Sequence, residues 1–458
     1  MTFVFMFLPI VFGLYLLLRK ELHNMVLLVA SILFYAWGEP RYLAIMLITI
    51  MVNYFGALAI HQFPRVKKLS LFLTIATDLG FLFYFKYFNF VMTNINAAFG
   101  ADIPFLDVVM PIGISFYTFQ ALSYVVDVYR GEVQVQKSIY NLALYISLFP
   151  QLIAGPIVKY HDVQDQITNR TESFDKVVYG VKRFIIGLAK KMLLANTLGA
   201  VADKVFNQPV EQFDAFTSWI GAVAYSFQLF YDFSGYSDMA IGLGAIFGFK
   251  FLENFNYPYI SKSITEFWRR WHISLSTWFK EYLYIPLGGN RVAKWRMYLN
   301  LFIVFLATGV WHGAEWTFIV WGLWHGLFII IEKLTGWYKK EGKYISIIQH
   351  FYCIFVFIIG WVLFRADNLS YAWKYIKNMF GLVSKHNITY QYIYYVDRVE
   401  IIAFIAAVLC SMPIFTNCLQ LKNKFAYSLF NLWLLVLFVM SAASIADSTY
   451  NPFIYFRF

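Results

Sequence analysis

The stretch MYLNLFIVFLATGVWHGAEWTFIVWGLWHGLFIII, Met297–Ile331, is apolar over almost its whole length. Glu315 is its one charged residue, and His312 and His325 are two further ionisable interruptions. A helix that spans a bilayer needs about 20 mainly apolar residues. Its backbone groups must also be hydrogen-bonded within the segment, because lipid offers them no partners. The stretch is therefore predicted to be α-helical and to lie in a membrane.

The composition of the whole chain indicates the same environment. Of the 458 residues, 60% are hydrophobic and only 14% are charged, with a mean hydropathy of +0.59. A soluble domain is about a quarter charged. A transmembrane β-barrel would show alternating segments of about ten residues, and the long apolar runs here do not alternate. We therefore predict an all-α polytopic membrane protein in which residues 1–458 form a single integral-membrane domain.

Apolar runs long enough to cross a bilayer recur along the chain. About ten to twelve crossings are predicted, because two of the runs are short and the run Phe216–Phe247 is too long for one simple crossing. The runs are Thr2–Leu18, Met25–Trp37, Tyr42–Ile60, Leu69–Phe85, Pro104–Val126, Tyr140–Val158, Val178–Leu198, Phe216–Phe247, Met297–Ile331, Ile345–Phe364, Ile401–Phe415 and Ala426–Ile445.

Basic residues predict the orientation of the first helices. The net charge is +11, and no basic block interleaves with a nucleic-acid-binding motif, so we expect membrane lipids and not nucleic acid as the partner of this charge. Arg19-Lys20 and the loop Arg65–Lys68 should be cytoplasmic by the positive-inside rule. The first apolar run has its positive charges after it, which favours a retained first helix over a cleaved signal peptide.

The polar stretch before Met297 is also predicted to be cytoplasmic. Between Lys250 and Arg296 there are eight Lys or Arg residues against three Glu. A free loop would not need Trp268, Trp271 and Trp278 or the many tyrosines of this stretch. We expect Trp268–Arg296 to form amphipathic or re-entrant helices at the cytoplasmic interface.

Three of the eight histidines are candidates for chemistry. His312 and His325 each lie in a Trp-His-Gly tripeptide inside an apolar stretch, and His272 lies in the aromatic segment before it. An ionisable residue in a membrane costs several kcal/mol unless it is paired or faces a wet cavity, so it is a functional candidate. The other five, predicted to be interfacial or solvated, are His23, His61, His161, His350 and His386.

The spacing of His312 and His325 argues against one shared reacting atom. In a straight helix, thirteen residues separate them by roughly 20 Å and turn them in different directions. Only a break in the helix could bring them together, and Gly313 and Gly322 make a break possible. Glu315, three residues after His312, could orient or charge-pair with it. Glu315 could equally be a residue at a water-filled mouth.

Several other chemistries lack their motifs. There is no HExxH and no cysteine cluster for zinc, so no metal is expected. Cys353, Cys410 and Cys418 are interpreted as packing residues. The sequence has no GxSxG elbow, so a serine hydrolase is not indicated. It also has no GxxxxGK[ST] loop, so ATP is not expected to be the direct energy source.

The stretches FWRRWHISLSTWFKEYLYIPLGGNR (Phe267–Arg291) and TGVWHGAEWTFIVWGLWHG (Thr308–Gly326) resemble the membrane-bound O-acyltransferase superfamily. The likeness is in particular to the bacterial branch that includes the alginate O-acetylation membrane protein. One departure is Asn196, where an Asp is expected. Further motifs of this likeness are FYAWGEP (Phe34–Pro40), PIGISFYTFQALSYVVDVYRG (Pro111–Gly131), FPQLIAGPIVKY (Phe149–Tyr160), YDFSGYSDMAIG (Tyr231–Gly242) and the terminal NPFIYFRF.

The resemblance implies an O-acetyltransferase with spanning helices around a central channel. His312 would be its essential intramembrane histidine, acting as general base or relay, and His272 its second, cytoplasm-facing partner. We also predict Trp311, Glu315 and His325 as supporting residues, from their position beside His312 or in the second Trp-His-Gly tripeptide. The implied location is the bacterial cytoplasmic (inner) membrane.

The resemblance also implies the substrates and partners. Acetyl-CoA would be the donor, with no tightly bound cofactor. Arg269, Arg270 and Lys280 are candidates to bind its phosphates, although each could equally be an ordinary positive-inside charge. An extracytoplasmic polysaccharide would be the acceptor, and a secreted SGNH-type protein would be the partner in its O-acetylation.

Three rival functions stay open at this point. A passive acyl or polysaccharide transporter predicts inverted repeats, which are not found. A D-alanyl transferase of the teichoic-acid type belongs to the same superfamily, and the element YLYIPLGGNR argues against it. A lipid acyltransferase would keep donor and acceptor in the membrane. The acceptor polymer itself is not indicated by any residue.

Overall fold

The computed structural model of the protein describes residues 2–153, 155–383, 388, 392–415 and 423–447. Throughout these residues the secondary structure is helical, with no strand, which confirms the predicted all-α class. His386, Cys418 and the terminal motif at 451–458 lie outside the described residues.

Seven helical segments in the described ranges are long and apolar enough to cross a membrane. The predicted count of ten to twelve is not confirmed. In Pro104–Val126 the chain stays non-helical up to the helix Ile114–Arg130, which is buried within the protein. Tyr140–Val158 is helical only over Ile139–Ser147. The seven segments are Lys20–Gly38, Leu43–Gln62, Lys67–Phe99, Phe174–Phe206, Trp316–Thr335, Lys343–Arg365 and Lys424–Asp447.

The chain divides into two compact units. The first comprises Met1–Val181 and Ala240–Leu252, and the second comprises Lys182–Met239 and Glu253–Phe458. The single domain of the sequence analysis therefore stays a prediction.

In the described residues, eight α-helices lie wholly within the first unit. Helix α6 (Ile114–Arg130) packs against α3 (Leu43–Gln62), α4 (Lys67–Leu82) and α8 (Tyr160–Asn169), and most of its residues are buried. Its buried Asp127 lies 3.1 Å from the His161 ring of α8. The helices are α1 (Leu8–Leu17), α2 (His23–Gly38), α3 (Leu43–Gln62), α4 (Lys67–Leu82), α5 (Phe88–Phe99), α6 (Ile114–Arg130), α7 (Ile139–Ser147) and α8 (Tyr160–Asn169).

The remaining helices follow, of which α9 and α11 contribute residues to both units. They are α9 (Phe174–Ala189), α10 (Asn196–Phe206), α11 (Ala215–Ile246), α12 (Ile264–Arg270), α13 (Ile273–Phe279), α14 (Lys294–His312), α15 (Trp316–Thr335), α16 (Lys343–Arg365), α17 (Leu369–Met379), α18 (Arg398–Cys410) and α19 (Lys424–Asp447).

The stretch Met297–Ile331 forms a hairpin of two helices. Helix α14 ends at His312 because Gly313 is extended, with φ −162° and ψ 156°. The helices then pack backbone to backbone, since a Cβ on Gly309 would lie 2.5 Å from the Phe318 carbonyl oxygen and one on Gly322 would lie 2.4 Å from that of Phe305. Small residues permit this approach, as they do in membrane helix pairs. The break predicted as possible at Gly313 is therefore present, while α15 runs through Gly322 unbroken.

The segment before the hairpin is a chain of short helices, α12 and α13, followed by a π-helical turn at Lys280–Tyr284. Trp268, Trp271 and Trp278 are buried in the second unit. Their burial explains why a stretch with so many charges is also rich in aromatic residues.

Candidate functional site

His312 is the last residue of α14 and lies in an aromatic enclosure. The imidazole is 5% exposed. Three rings meet it edge-on, with centroid distances of 4.9 Å to Trp311, 4.8 Å to Trp321 and 5.3 Å to Phe364. Edge-to-face packing at these distances is the favoured geometry of aromatic pairs. The enclosure holds the ring in one place and shields it from bulk solvent.

His325 lies on α15 and shares an aromatic neighbour with His312. Its ring centroid is 5.2 Å from that of Trp321 and 5.4 Å from that of Trp268. A Cβ on Gly360 of α16 would come within 2.8 Å of its Nε2, so the glycine makes room for the ring. A single indole thus separates the two histidines. The roughly 20 Å expected for a straight helix does not apply, because the chain reverses at Gly313.

His272 approaches the same enclosure from the segment between α12 and α13. It is fully buried, and its ring lies 6.1 Å from Trp311 and 4.5 Å from Phe233. Trp311 therefore contacts His312 and His272, the two histidines for which the resemblance implied a catalytic role. The side chain has no exposed area, and its orientation toward the cytoplasm stays a prediction.

The backbone of His272 is in the left-handed region, with φ 45° and ψ 55°. Such a conformation is uncommon for residues other than glycine and concentrates at functional sites. Burial lowers the pKa of His272 to about 3, so the imidazole is neutral around pH 7.

Glu315 is not brought to His312. It is the exposed residue that precedes α15, in extended conformation, and it has no hydrogen bond or ion pair with His312. Because α14 ends before it, the spacing of one helical turn does not place both side chains on one face. Burial, and then the nearby Asp367 charge, raise the pKa of Glu315. The interpretation as a residue at a wet mouth stays a prediction.

A cavity of about 350 Å³ opens beside the enclosure, within the second unit. Three of its lining residues are cations, Arg269, Lys280 and Lys333, and the first two of these are exposed. The rest of the lining is mainly apolar and comprises Trp268, Ile273, Leu275, Phe279, Leu301, Val304, Phe305, Thr308 and Ile329, among others.

The cavity follows the face of α14 that leads to His312. Phe305 and Thr308 both line it, and His312 follows Thr308 by four residues, which is one turn on the same face. On the other side, Trp268 lines the cavity and contacts the rings of Trp321 and His325. The cavity wall is therefore in contact with the surroundings of both histidines.

Two of the three predicted phosphate-binding residues lie at this cavity, and the third does not. Arg270 is instead engaged by Glu266, at 2.9 Å, and by the carbonyl oxygen of Asn256, at 3.0 Å. Lys333 was not predicted, because it lies two residues beyond Ile331, where the apolar stretch ends. Its spacing was a signal, since His325, Ile329 and Lys333 follow one another at intervals of four residues and so lie along one side of the helix.

Two histidines interpreted as interfacial or solvated are held in specific pairs. His23 is buried, and its Nδ1 lies 3.0 Å from Glu172. His161 has Asp127 at 3.1 Å on one ring nitrogen and Asp162 at 3.2 Å on the other. Across the ranges that the structure covers, no three His, Cys, Asp or Glu side chains converge as metal ligands would. Cys353 and Cys410 are free thiols.

Residues 81–366 match the family model described as MBOAT, membrane-bound O-acyltransferase family. A probable alginate O-acetylase of Pseudomonas aeruginosa is 45% identical over 83% of this chain and 74% of its own. A peptidoglycan O-acetyltransferase of Helicobacter pylori is 37% identical over 91% of this chain and 86% of its own. A teichoic acid D-alanyltransferase of Bacillus subtilis is 30% identical over 51% of this chain and 62% of its own.

The match covers well over half of the chain and includes all three candidate histidines, so the chain belongs to the membrane-bound O-acyltransferase family. It is an acyltransferase with several membrane-spanning helices, and its acetyl-transferring relatives make it a membrane O-acetyltransferase.

Proposed function

We propose that the protein takes acetyl groups from acetyl-CoA on the cytoplasmic side of a bacterial inner membrane and passes them to hydroxyl groups of a polysaccharide outside it. The observation that carries this proposal is the course of the cavity. Its cations Arg269, Lys280 and Lys333 suit the phosphates of coenzyme A. Its apolar lining suits the pantetheine arm of coenzyme A. The lining includes Thr308, so the cavity extends to within one helical turn of His312.

The reaction requires one proton acceptor near the thioester. As the acceptor hydroxyl attacks the acetyl carbonyl carbon, the new C–O bond forms and its proton passes to a ring nitrogen of His312. The C–S bond then breaks, and the thiolate of coenzyme A takes a proton and leaves as the thiol. An imidazole is suited to this role because it exchanges protons near neutral pH. His312 could carry the proton itself or relay it.

The proposed acceptor is a cell-surface polysaccharide. Two relatives that cover most of this chain are named for O-acetylation of alginate and of peptidoglycan, and both polymers offer sugar hydroxyls. A secreted SGNH-type protein is the proposed partner, which either receives the acetyl group on its serine or is bypassed by direct transfer. No tightly bound cofactor is needed by this chemistry.

The proposed topology has ten to twelve crossings around a central channel, with Trp268–Arg296 as a re-entrant or amphipathic segment at the cytoplasmic face. The charge excess of this part of the chain supports that side, and its buried tryptophans support a folded segment. Donor phosphates would then meet Arg269 and Lys280 without entering the lipid.

D-alanyl transfer of the teichoic-acid type is the alternative with a specific observation in its favour. The relative of that name is 30% identical, but it matches only 51% of this chain, against 83% for the alginate O-acetylase relative. The wider match favours acetyl transfer. A D-alanyl carrier protein supplied in place of acetyl-CoA distinguishes the two.

His312→Gln is the test of the proposed reaction. Gln retains hydrogen bonding and approximate size but cannot accept a proton, so transfer from radiolabelled acetyl-CoA by the purified protein should fall by about 100-fold or more. His61→Gln is the matched control, because His61 is exposed and the chemical change is the same.

Thermal melting in the same detergent should show both variants folded. Near-normal transfer by His312→Gln would refute the base or relay role and leave His312 a structural residue. Wild-type protein that transfers D-alanine and not acetyl would refute the donor assignment.

A further inference from the structure

Asn254 lies beside His272 in a buried network of the second unit. It is fully buried, and its carbonyl oxygen Oδ1 accepts hydrogen bonds from the backbone N–H of Ser274, at 3.1 Å, and from the Ser274 hydroxyl, at 2.9 Å. The same Oδ1 lies 3.2 Å from Nδ1 of His272. Three groups therefore converge on one amide oxygen.

The orientation of the Asn254 amide follows from one of these contacts. A backbone N–H can only donate, so the Asn254 atom that faces Ser274 must be the oxygen and not the nitrogen. The amide nitrogen Nδ2 then faces Ser237 of α11, at 3.1 Å, where it can donate to the hydroxyl. Both ends of the amide have suitable partners in this orientation alone.

The protonation of the His272 ring follows in turn. Two groups lie near Nδ1: the Asn254 Oδ1, at 3.2 Å, and the Ser274 hydroxyl oxygen, at 3.4 Å. Oδ1 can only accept, and the Ser274 hydroxyl already donates its hydrogen to Oδ1, so Nδ1 is the group that carries a hydrogen toward both oxygens. A neutral imidazole has one N–H, and Nε2 is then left with a lone pair. In the parts of the chain that the structure describes, Nε2 is buried and has no hydrogen-bond partner.

The backbone holds this arrangement as well. The Ile273 N–H donates to the backbone carbonyl oxygen of Asn254, at 2.9 Å, and the Ser276 N–H donates to the backbone carbonyl oxygen of His272, at 3.0 Å. These two bonds flank the left-handed residue His272 and keep its side chain against Asn254. The ring then points its second nitrogen away from the amide.

We propose that Asn254 is a positioning residue that holds His272 as the Nδ1–H tautomer and so presents Nε2 as a hydrogen-bond and proton acceptor. Its catalytic consequence rests on the proposed acetyl transfer, while the tautomer itself does not. The group that Nε2 would serve is the attacking hydroxyl of the transfer reaction, whose proton His312 can pass on to it as a relay. Asn254 acts through His272 and touches neither substrate.

The first test measures the tautomer directly. Solid-state 15N NMR of histidine-labelled protein, with His272→Gln to assign the signal, should show protonated Nδ1 and unprotonated Nε2 for His272. In Asn254→Ala the two tautomers should become mixed or reversed. A wild-type Nε2–H tautomer, or a spectrum unaffected by Asn254→Ala, would overturn the proposal.

The second test measures the coupling of the two residues in transfer. Asn254→Ala should lower kcat by about 100-fold with little change in the KM for acetyl-CoA. It should add no further loss in the His272→Gln background, because residues that act as a unit are not additive. Independent losses in the two backgrounds would make Asn254 a purely structural residue.

Asn378→Ala is the matched control. Asn378 is a buried amide of the same unit and lies far in sequence from His272. Its Nδ2 donates to the Phe213 carbonyl oxygen, at 2.9 Å, and to the Ser218 hydroxyl, at 3.0 Å. It should lower stability and leave the tautomer and kcat unchanged. If wild-type protein transfers no acetyl group, the proposed function fails and the NMR result still decides the tautomer. If His272→Gln has no measurable transfer, the double variant cannot be compared with it, and the NMR result decides the proposal.

Discussion

Glu332 anchors the short helix α12 to α15, and its removal should disturb the donor cavity. The side chain is fully buried. Oε1 accepts the Ile264 N–H at 2.6 Å, and Oε2 accepts the Thr265 N–H at 2.9 Å and the Thr265 hydroxyl at 2.7 Å. These backbone groups begin α12, the helix that carries Trp268 into the cavity wall. A carboxylate at a helix N-terminus also interacts favourably with the helix dipole.

Glu332→Gln replaces one of the two oxygens by an amino group. In either orientation of the amide, a donor then faces a backbone N–H, which is left without an acceptor. A buried donor left unsatisfied costs about 1–3 kcal/mol, so we expect the free energy of unfolding to fall by about 2 kcal/mol. Because α12 is loosened, the KM for acetyl-CoA should rise more than kcat falls.

The assay is thermal melting of the purified protein together with donor kinetics. Glu341→Gln is the matched control, since Glu341 is exposed and loses the same charge. If Glu332→Gln melts at the same temperature as Glu341→Gln, the three hydrogen bonds do not hold α12 and the reasoning is wrong.

Two further predictions concern charge. Replacing Arg269, Lys280 and Lys333 together by Gln should raise the acetyl-CoA KM more than it lowers kcat, because the three cations line the cavity. A rise in KM no larger than that caused by Arg270→Gln would show that they do not bind the donor. His161 has its pKa raised to about 9, first by the Asp127 hydrogen bond and then by Asp162, from an ordinary 6.5. The stability that the protonated His161 contributes is therefore fully present below pH 6.5 and lost as the pH rises through 9. The difference in Tm between wild type and His161→Gln should shrink over that interval. A Tm difference that stays constant would contradict the pairing of His161 with Asp127 and Asp162.

The sequence alone determined the environment, the fold class and the family. Hydropathy and charge are sums over many residues, so they indicate helices in a membrane whatever the exact packing. The Trp-His-Gly motif singled out His312 because an ionisable residue is costly in an apolar stretch. The aromatic segment around His272 was likewise recognisable as a local motif, since neither inference required knowing which residues meet in space.

Only the tertiary structure decided which groups come together. The reversal at Gly313 separates Glu315 from His312 and places His312 and His325 against the same indole, although helical spacing predicted otherwise. Such a reversal depends on one extended glycine and on backbone contact between two helices. The spacing of residues along the chain indicates neither of these two features. The link from Asn254 to His272 is of the same kind. It spans eighteen residues and depends on a few hydrogen bonds whose directions are defined only once the chain has folded.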